Sequence, residues 1–133
     1  MQYVSTRGTA PDLSFTEALV TGLANDGGLY VPAEWPQFTA DELRALRNAS
    51  YGEIAVAVLE RFTGETLSAD ELAADIDAAY ARFRHQAVTP LVQLDHDDWL
   101  LELFHGPTLA FKDVALQLLG RFFDRVLTAQ DSG

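Results

Sequence analysis

One segment combines residue types that could do chemistry, HGPTLAFKD from His105 to Asp113. It contains Lys112, the only lysine of the chain, since the other eight cationic side chains are all arginine. Arginine holds a charge as well as lysine does, but only lysine can lose its proton near neutral pH and attack a carbonyl carbon. The segment therefore predicts an amine nucleophile. The alternative is a stray surface lysine in a chain whose codon usage favours arginine.

The residues around Lys112 predict a helix. FKDVALQLLGRFFDRVL has helical periodicity, and either Thr108 caps this helix or Pro107 lies in its first turn. Lys112 then lies on an apolar face near a helix N-terminus, where burial and the helix dipole both favour the neutral amine. Asp113 could oppose this by stabilising the ammonium, although adjacent helical residues point in different directions. A lysine that extends to solvent is the alternative.

Four capping boxes, in which a Ser or Thr is followed three residues later by Glu, predict the starts of four further helices. Each box precedes apolar residues at helical spacing, and Gly64 is a plausible end for the third helix. The predicted helices span residues 15–24, 40–48, 51–62 and 69–84.

Short strands are predicted at both ends of the chain. Residues 29–31 follow the turn signal NDGG and could pair with residues 2–5. The glycine pair is typical of turn geometry and not of phosphate binding, because a proline and a loop follow in place of a helix. VTPLVQL and WLLELF predict a hairpin, and the DHDD between them is interpreted as a solvated turn and not as a metal site.

Composition limits the classes of partner. The formal net charge of -11 argues against nucleic acid and anionic membrane surfaces. No cysteine is present, which excludes disulfides, thiolate metal sites and cysteine nucleophiles. The N-terminus MQYVSTRG has no apolar signal core, and no apolar run approaches the length of a membrane span. We therefore expect a soluble cytoplasmic protein.

The motifs, taken together, resemble one family. ELFHGPTLAFKDVALQ, at residues 102–117, is similar to the cofactor-lysine segment of threonine synthases, which are pyridoxal-phosphate (PLP) enzymes of the tryptophan-synthase-β-like fold family. STRG at 5–8, SFTEALVTGLANDGGLYVP at 14–32 and VTPLVQL at 88–94 resemble the N-terminal region of the same family. The resemblance implies an α/β fold of PLP fold type II. This chain would be its helix-rich α+β N-terminal portion, with a small sheet, a hairpin and the lysine-bearing helix.

The resemblance also implies roles for particular residues. Lys112 would bind PLP covalently and later move the substrate's protons, and the ring of Phe111 would pack against the cofactor. Arg7, His105 and Thr108 are candidates for binding a substrate or another anion, with help from backbone donors at the helix start. The family reaction converts O-phospho-L-homoserine and water to L-threonine and phosphate. No metal is implied.

The chain departs from the family pattern in what it lacks. A glycine-rich loop for the PLP phosphate, the partner of the pyridine nitrogen and most of the substrate site are absent from these 133 residues. We therefore expect an N-terminal portion without turnover of its own. Residues 1–84 would form the N-terminal helical domain, and residues 85–133 the incomplete start of the PLP-binding domain.

One further expectation concerns the surface of this chain, and two alternative functions stay open. Leu118, Leu119, Phe122 and Phe123 would be exposed on the lysine-bearing helix and would drive self-association. A non-catalytic truncated paralogue that acts as an interaction module is one alternative function. A threonine-synthase-like phospho-lyase with another substrate is the second.

Overall fold

A small antiparallel sheet opens the chain. The computed structural model describes the backbone of residues 1–131 and the side chains of residues 1–129. Strand β1 (Gln2–Ser5) lies between β2 (Leu13–Ser14) and β3 (Tyr30–Pro32), and both neighbours run antiparallel to it. The predicted pairing of residues 2–5 with the strand after NDGG is therefore confirmed.

The NDGG segment forms the predicted turn. The Gly27 N–H donates to the Ala24 carbonyl at 2.9 Å, and the Ala24 N–H donates to the Gly28 carbonyl at 3.0 Å. A Cβ on Gly28 would lie 2.2 Å from the Ser5 hydroxyl, so only glycine allows this turn to approach β1. The close approach ties the turn to the strand that precedes Arg7.

All four predicted capping boxes form. In each box the hydroxyl accepts from the backbone N–H of the glutamate, and the glutamate side chain accepts from the cap's own N–H. The helices that begin there are α1 (Phe15–Thr21), α2 (Ala40–Ala45), α3 (Tyr51–Thr63) and α4 (Ala69–Tyr80).

Helix starts were predicted more closely than helix ends. Gly64 ends α3 as expected, with a positive φ of 61°, and a short 3-10 turn (Gly64–Thr66) follows it. Helix α1 ends three residues before its predicted end, because Gly22 leaves the helical conformation with a φ of 70°. The apolar periodicity of the sequence continues past Thr21, but the helical conformation of the backbone ends there.

The core lies where α4 packs between α3 and α5 (Asp113–Asp131), with α1 against one side. Leu72 and Ile76 on α4 are 0% and 1% exposed. Arg125 on α5 binds Asp75 on α4 through two parallel hydrogen bonds of 2.7 and 2.9 Å. The buried core cluster consists of Leu67, Leu72, Ile76, Ala79, Leu118 and Phe122.

The predicted hairpin is confirmed as β4 (Leu91–Gln93) paired antiparallel with β5 (Trp99–Leu101). All six of its strand residues are exposed, so neither face packs against a core in the described part of the chain. At its tip the Leu94 N–H donates to the Asp98 carbonyl at 2.9 Å, and the intervening side chains are exposed. DHDD is thus the hairpin turn.

The prediction that the lysine-bearing helix exposes its central apolar residues is wrong. Leu118 and Phe122 are both 6% exposed, and Leu119 and Phe123 are half-buried. The reason is that α1, α3 and α4 of the same chain cover this face of α5. Among the described residues of α5, the exposed large apolar side chains are instead those of Leu116 and Leu127.

The division into residues 1–84 and 85–133 stays a prediction, and residues 132–133 lie outside the described part. Helix α5 from the second segment packs on α4 from the first. Within the residues that the structure describes, no helix is both long enough and apolar enough to cross a membrane.

Candidate site around Lys112

Lys112 lies immediately before the first residue of α5. Its carbonyl accepts hydrogen bonds from the N–H groups of Ala115 and Leu116, at 3.1 and 2.8 Å. Its backbone is therefore part of the helix start, as predicted, but its side chain is exposed. The expected burial of Lys112 is wrong, because the buried apolar residues of α5 are Leu118, Phe122 and Val126, whereas Leu116, one turn after Lys112, is 52% exposed.

Asp113 points away from Lys112 and into the preceding loop. It is 4% exposed, and its carboxylate accepts from the Thr108 N–H at 2.7 Å and from the Thr108 hydroxyl at 2.9 Å. Asp113 therefore does not pair with the Lys112 ammonium, in agreement with the expectation that adjacent helical residues point in different directions. Both acceptor oxygens of Asp113 serve Thr108.

The helix start also differs from the prediction. Thr108 was expected to cap the helix, or Pro107 to lie in its first turn, but α5 begins at Asp113. Leu109 has a positive φ of 64°, which no helical residue adopts, and this separates Thr108 from the helix. We call residues 105–112 the lysine loop, because they deliver Lys112 to α5 from the end of the hairpin.

Gly106 allows Asp113 to reach this loop. A Cβ on Gly106 would lie 2.4 Å from the Cβ of Asp113 and 2.5 Å from its Oδ2. The φ of Gly106 is not positive, so the requirement for glycine comes from space and not from backbone conformation. The Gly-Pro-Thr of the motif is therefore explained by Asp113, seven residues after the glycine.

His105 is held by a carboxylate at the other end of the loop. Its Nε2 lies 2.7 Å from Oε2 of Glu102, and the two side chains are only 17% and 21% exposed. The His85 ring lies 5.1 Å from the His105 ring, centre to centre, and the Arg84 N–H donates to the His105 carbonyl. An anion that binds His105 would have to displace or join Glu102.

Phe111 and its neighbours are open to solvent. The Phe111 side chain is 65% exposed, and Leu109 and Leu116 are also more than half exposed. Leu109 and Phe111 precede Lys112 closely in the lysine loop, and Leu116 follows it by one helical turn. The site thus combines a primary amine with an uncovered aromatic and aliphatic surface.

Arg7 lies in the loop after β1, where its Nη1 donates to the Asp26 carbonyl at 3.0 Å. The Asp26 carboxylate binds the same loop. Partial burial raises the pKa of Asp26, but hydrogen bonds from the Gly28 N–H, the Ser5 hydroxyl and Thr9 outweigh burial and hold that pKa far below its usual value. Arg7 is therefore fixed beside the NDGG turn, whereas His105, Thr108, Phe111 and Lys112 all belong to the lysine loop.

The backbone donors at the start of α5 are already used. The N–H groups of Asp113, Val114 and Ala115 donate to the carbonyls of Ala110, Phe111 and Lys112, at 3.0 to 3.3 Å. The expected anion site on these donors is not available in this arrangement, because a tight turn leads directly into the helix.

Sequence reasoning missed two residues, Asp113 as the partner of Thr108 and Glu102 as the partner of His105. Both are carboxylates within five residues of a donor, and both are partly or wholly buried. The spacing from Thr108 to Asp113 matches no standard capping motif. In the sequence, the only signal for this contact was Gly106, a glycine in the motif for which no reason had been given.

The fold matches known structures. A solved structure of PLP-bound threonine synthase from Brucella melitensis superposes with a TM-score of 0.96 at 59% identity, over 98% of this chain and 28% of that chain. The family model for the threonine synthase N terminus matches residues 2–80. The class defined by fold and sequence is therefore the N-terminal part of a threonine synthase.

Curated relatives agree with this class. The threonine synthase of Pseudomonas aeruginosa is 50% identical over 127 residues, which cover 96% of this chain and 27% of that protein. Human threonine synthase-like 2 is 42% identical over 132 residues, with 98% and 27% coverage. The chain belongs to the threonine synthase family, and the resemblance seen in its motifs is confirmed. It spans about 27% of the length of these two relatives.

The residues present fit the attachment of PLP. An aldehyde cofactor needs a primary amine that it can reach, and Lys112 is exposed at a fixed backbone position. A cofactor ring needs an apolar surface beside that amine, and Phe111 is uncovered next to it. The exposed amine and the uncovered ring thus meet two requirements of such a site, a covalent anchor and one apolar wall.

Proposed function

We propose that this chain contributes the PLP-binding lysine to a threonine synthase, which converts O-phospho-L-homoserine and water to L-threonine and phosphate. The observation that carries the proposal is the position of Lys112. The only lysine of a chain in this family stands exposed immediately before the first turn of α5, next to an uncovered aromatic ring in sequence. When bound, PLP supplies an electron sink that stabilises carbanions next to the attached amine.

Lys112 has two tasks in this proposal. Its Nζ would hold the cofactor, and when not so engaged the same Nζ would accept and return protons at the substrate carbons. The backbone bonds from Ala115 and Leu116 fix the Cα of Lys112, so that only the side chain has to move between the two tasks. An arginine at this position could do neither.

Phe111 would form an apolar wall for the cofactor ring, which excludes water from one side of it. Arg7, His105 and Thr108 stay predictions as binders of substrate or phosphate. Each already has a partner: Arg7 the Asp26 carbonyl, His105 the Glu102 carboxylate, and Thr108 the Asp113 carboxylate. Arg7 is the strongest of the three on charge, because it is an exposed cation in a chain of net charge -11.

The test uses the single lysine. The chain is incubated with PLP, reduced with borohydride and digested, and the adducts are located by peptide mass. We expect a selective adduct at Lys112 that is lost when the chain is unfolded. The N-terminal amine of Met1 is the only other primary amine and serves as the internal control. Lys112→Arg should abolish the internal adduct and leave that of Met1 unchanged.

An adduct on Met1 alone, at native conditions, would contradict the proposal for this chain. The same result followed by recovery at Lys112, when the remainder of a family member is added in trans, would show that further residues are required. We also propose that the isolated chain has no turnover. Phosphate release from O-phospho-L-homoserine should equal the rate without protein, and release above that rate would overturn this statement.

Two alternatives are tested by the same materials. The first is a related phospho-lyase with another substrate, which a panel of phosphorylated amino acids would reveal in the reconstituted protein. The uncovered hairpin favours an interaction module, which would show no adduct at Lys112 under any condition.

A further inference from the structure

We propose that Asp113 is the positioning residue for Lys112, and that it acts by hydrogen bonding to Thr108 and not by its charge on the lysine. The inference rests on the proposed function, in which Lys112 is the reactive group. It concerns a residue that is adjacent to Lys112 in sequence but faces the other way.

The first step is that Asp113 closes the lysine loop into a ring. Its two carboxylate oxygens accept from Thr108 at 2.7 and 2.9 Å, so residues 109–112 lie between two fixed points. Inside this ring of residues 108–113, the Asp113 N–H donates to the Ala110 carbonyl at 3.0 Å. The Leu109 N–H donates to the carbonyl of Gly106, which lies just before the ring, at 3.2 Å. The ring therefore fixes the backbone on the N-terminal side of Lys112, whereas α5 fixes it on the C-terminal side.

The second step is that the ring holds a conformation which the chain would otherwise avoid. Leu109 has a φ of 64°, and a leucine in the left-handed region costs free energy relative to its ordinary conformations. The bonds between Thr108 and Asp113 span this residue and offset that cost. Without them, the backbone of residues 109–112 is free to leave the ring.

The third step is that the position is built for a short carboxylate. Asp113 is buried, and Gly106 leaves no room between them, since an added Cβ would lie 2.4 Å from that of Asp113. A buried carboxylate is costly unless its oxygens are bonded, and Thr108 supplies a donor to each. The motif residues Gly106 and Thr108 thus have one common task, which is to receive Asp113.

The test compares Asp113→Ala with Asp113→Asn in the 133-residue chain. The asparagine oxygen can still accept from the Thr108 N–H, and its NH2 can donate to the Thr108 hydroxyl, whereas alanine can do neither. The readout is amide hydrogen exchange in the lysine loop, resolved by NMR and read at Thr108, Leu109 and Ala110, whose N–H groups donate within the loop. We expect exchange about tenfold faster, or more, in Asp113→Ala and within about threefold of the unmodified chain in Asp113→Asn.

The matched control is Asp70→Ala. Asp70 is exposed in the first turn of α4, so this change removes a carboxylate from another helix start without touching the lysine loop. Exchange of the same amides of the lysine loop should stay unchanged in Asp70→Ala. Equal acceleration in Asp113→Ala and Asp113→Asn would mean that the charge of Asp113 matters and would overturn the proposal, as would no acceleration in either.

Two other variants reach the same bonds by different routes, and they decide the question if Asp113→Ala does not fold. Thr108→Val removes the hydroxyl and keeps the N–H, so exchange should rise by about threefold. Gly106→Ala keeps every polar group but displaces Asp113 by its Cβ, and should reproduce the effect of Asp113→Ala. Unchanged exchange in both variants would contradict the proposal.

Reductive labelling by PLP then connects the loop to Lys112. The ratio of adduct at Lys112 to adduct at Met1 should fall at least about threefold in Asp113→Ala and recover in Asp113→Asn. A selective adduct at Lys112 that is equal in all variants would leave the proposed function intact and sink the positioning role. No selective adduct in the unmodified chain would instead contradict the proposed function, and amide exchange would still decide whether Asp113 orders the loop.

Discussion

The helical body and the hairpin of this protein both carry large apolar side chains, but in opposite surroundings. On α4, Leu72 and Ile76 are fully buried by α3 and α5 of the same chain. On the hairpin, Leu91, Trp99 and Leu101 are about half exposed or more. The comparison teaches that local patterning can complete a hairpin by backbone pairing alone, whereas burial requires a partner surface.

The lysine loop lies at the junction of these two regions. Helix α5 enters the helical body through Leu118 and Phe122, but Phe111 in the lysine loop and Leu116 in the first turn of α5 share the exposure of the hairpin. The backbone of Lys112 is therefore fixed by α5, as in the helical body, whereas its side chain is exposed, as on the hairpin. The predictions below test this contrast, in order of decreasing effect.

The largest effect is expected in the core of the helical body. Leu72→Ala should lower the free energy of unfolding by about 2–5 kcal/mol, because it leaves a cavity among residues that are packed on all sides. Denaturant unfolding followed by circular dichroism measures this. Leu101→Ala on β5 is the control and should cost no more than about 0.5 kcal/mol. Equal losses would mean that the hairpin is packed in solution.

A single hydrogen bond connects α4 to the start of α5. The Tyr80 hydroxyl donates to the Val114 carbonyl at 2.8 Å, and Tyr80→Phe should cost about 1 kcal/mol. Burial raises the pKa of Tyr80 above its usual value, so its contribution is fully present below about pH 10 and is lost as pH rises through the folded-state pKa. Alkaline unfolding curves should therefore converge for the two proteins, and parallel curves would contradict this assignment.

Acid should weaken the capping boxes. Hydrogen bonds from the Thr39 N–H and hydroxyl, followed by Arg61, lower the pKa of Glu42 from 4.5 to about 2. Its contribution is present above about pH 4.5 and is lost as pH falls towards 2. Glu42→Gln should flatten the dependence of the melting temperature on pH in this interval. Asp97→Asn at the exposed hairpin tip is the control and should leave that dependence unchanged.

The smallest effect on stability and the clearest effect on association are expected on the hairpin. Leu101→Ser should leave the free energy of unfolding within about 0.5 kcal/mol and reduce any self-association seen by sedimentation at high protein concentration. Association that persists in Leu101→Ser but disappears in Leu116→Ser would assign the contact to the first turn of α5.

How much was predictable can be judged from single residues. Ser14, Thr39, Ser50 and Ser68 predicted four helix starts within a residue, because a capping box depends on groups three residues apart. The end of α1 was missed, since apolar spacing continues beyond Gly22 while the backbone changes direction. Hydrogen bonds between residues three apart can be predicted from the sequence around them, whereas the direction of the chain after a glycine cannot.

The sequence by itself determined the family, the starts of α1 to α4 and the pairing of β1 with β3, because each depends on residue type or short spacing. It also singled out Lys112, whose role stays a proposal. Only the tertiary structure decided that Leu118 and Phe122 are covered, that Lys112 is not, and that Asp113 serves Thr108 and not its neighbour. Exposure and partner choice depend on what packs in three dimensions against each side chain. The physical reason is that a helical periodicity defines a face but does not state which element covers it.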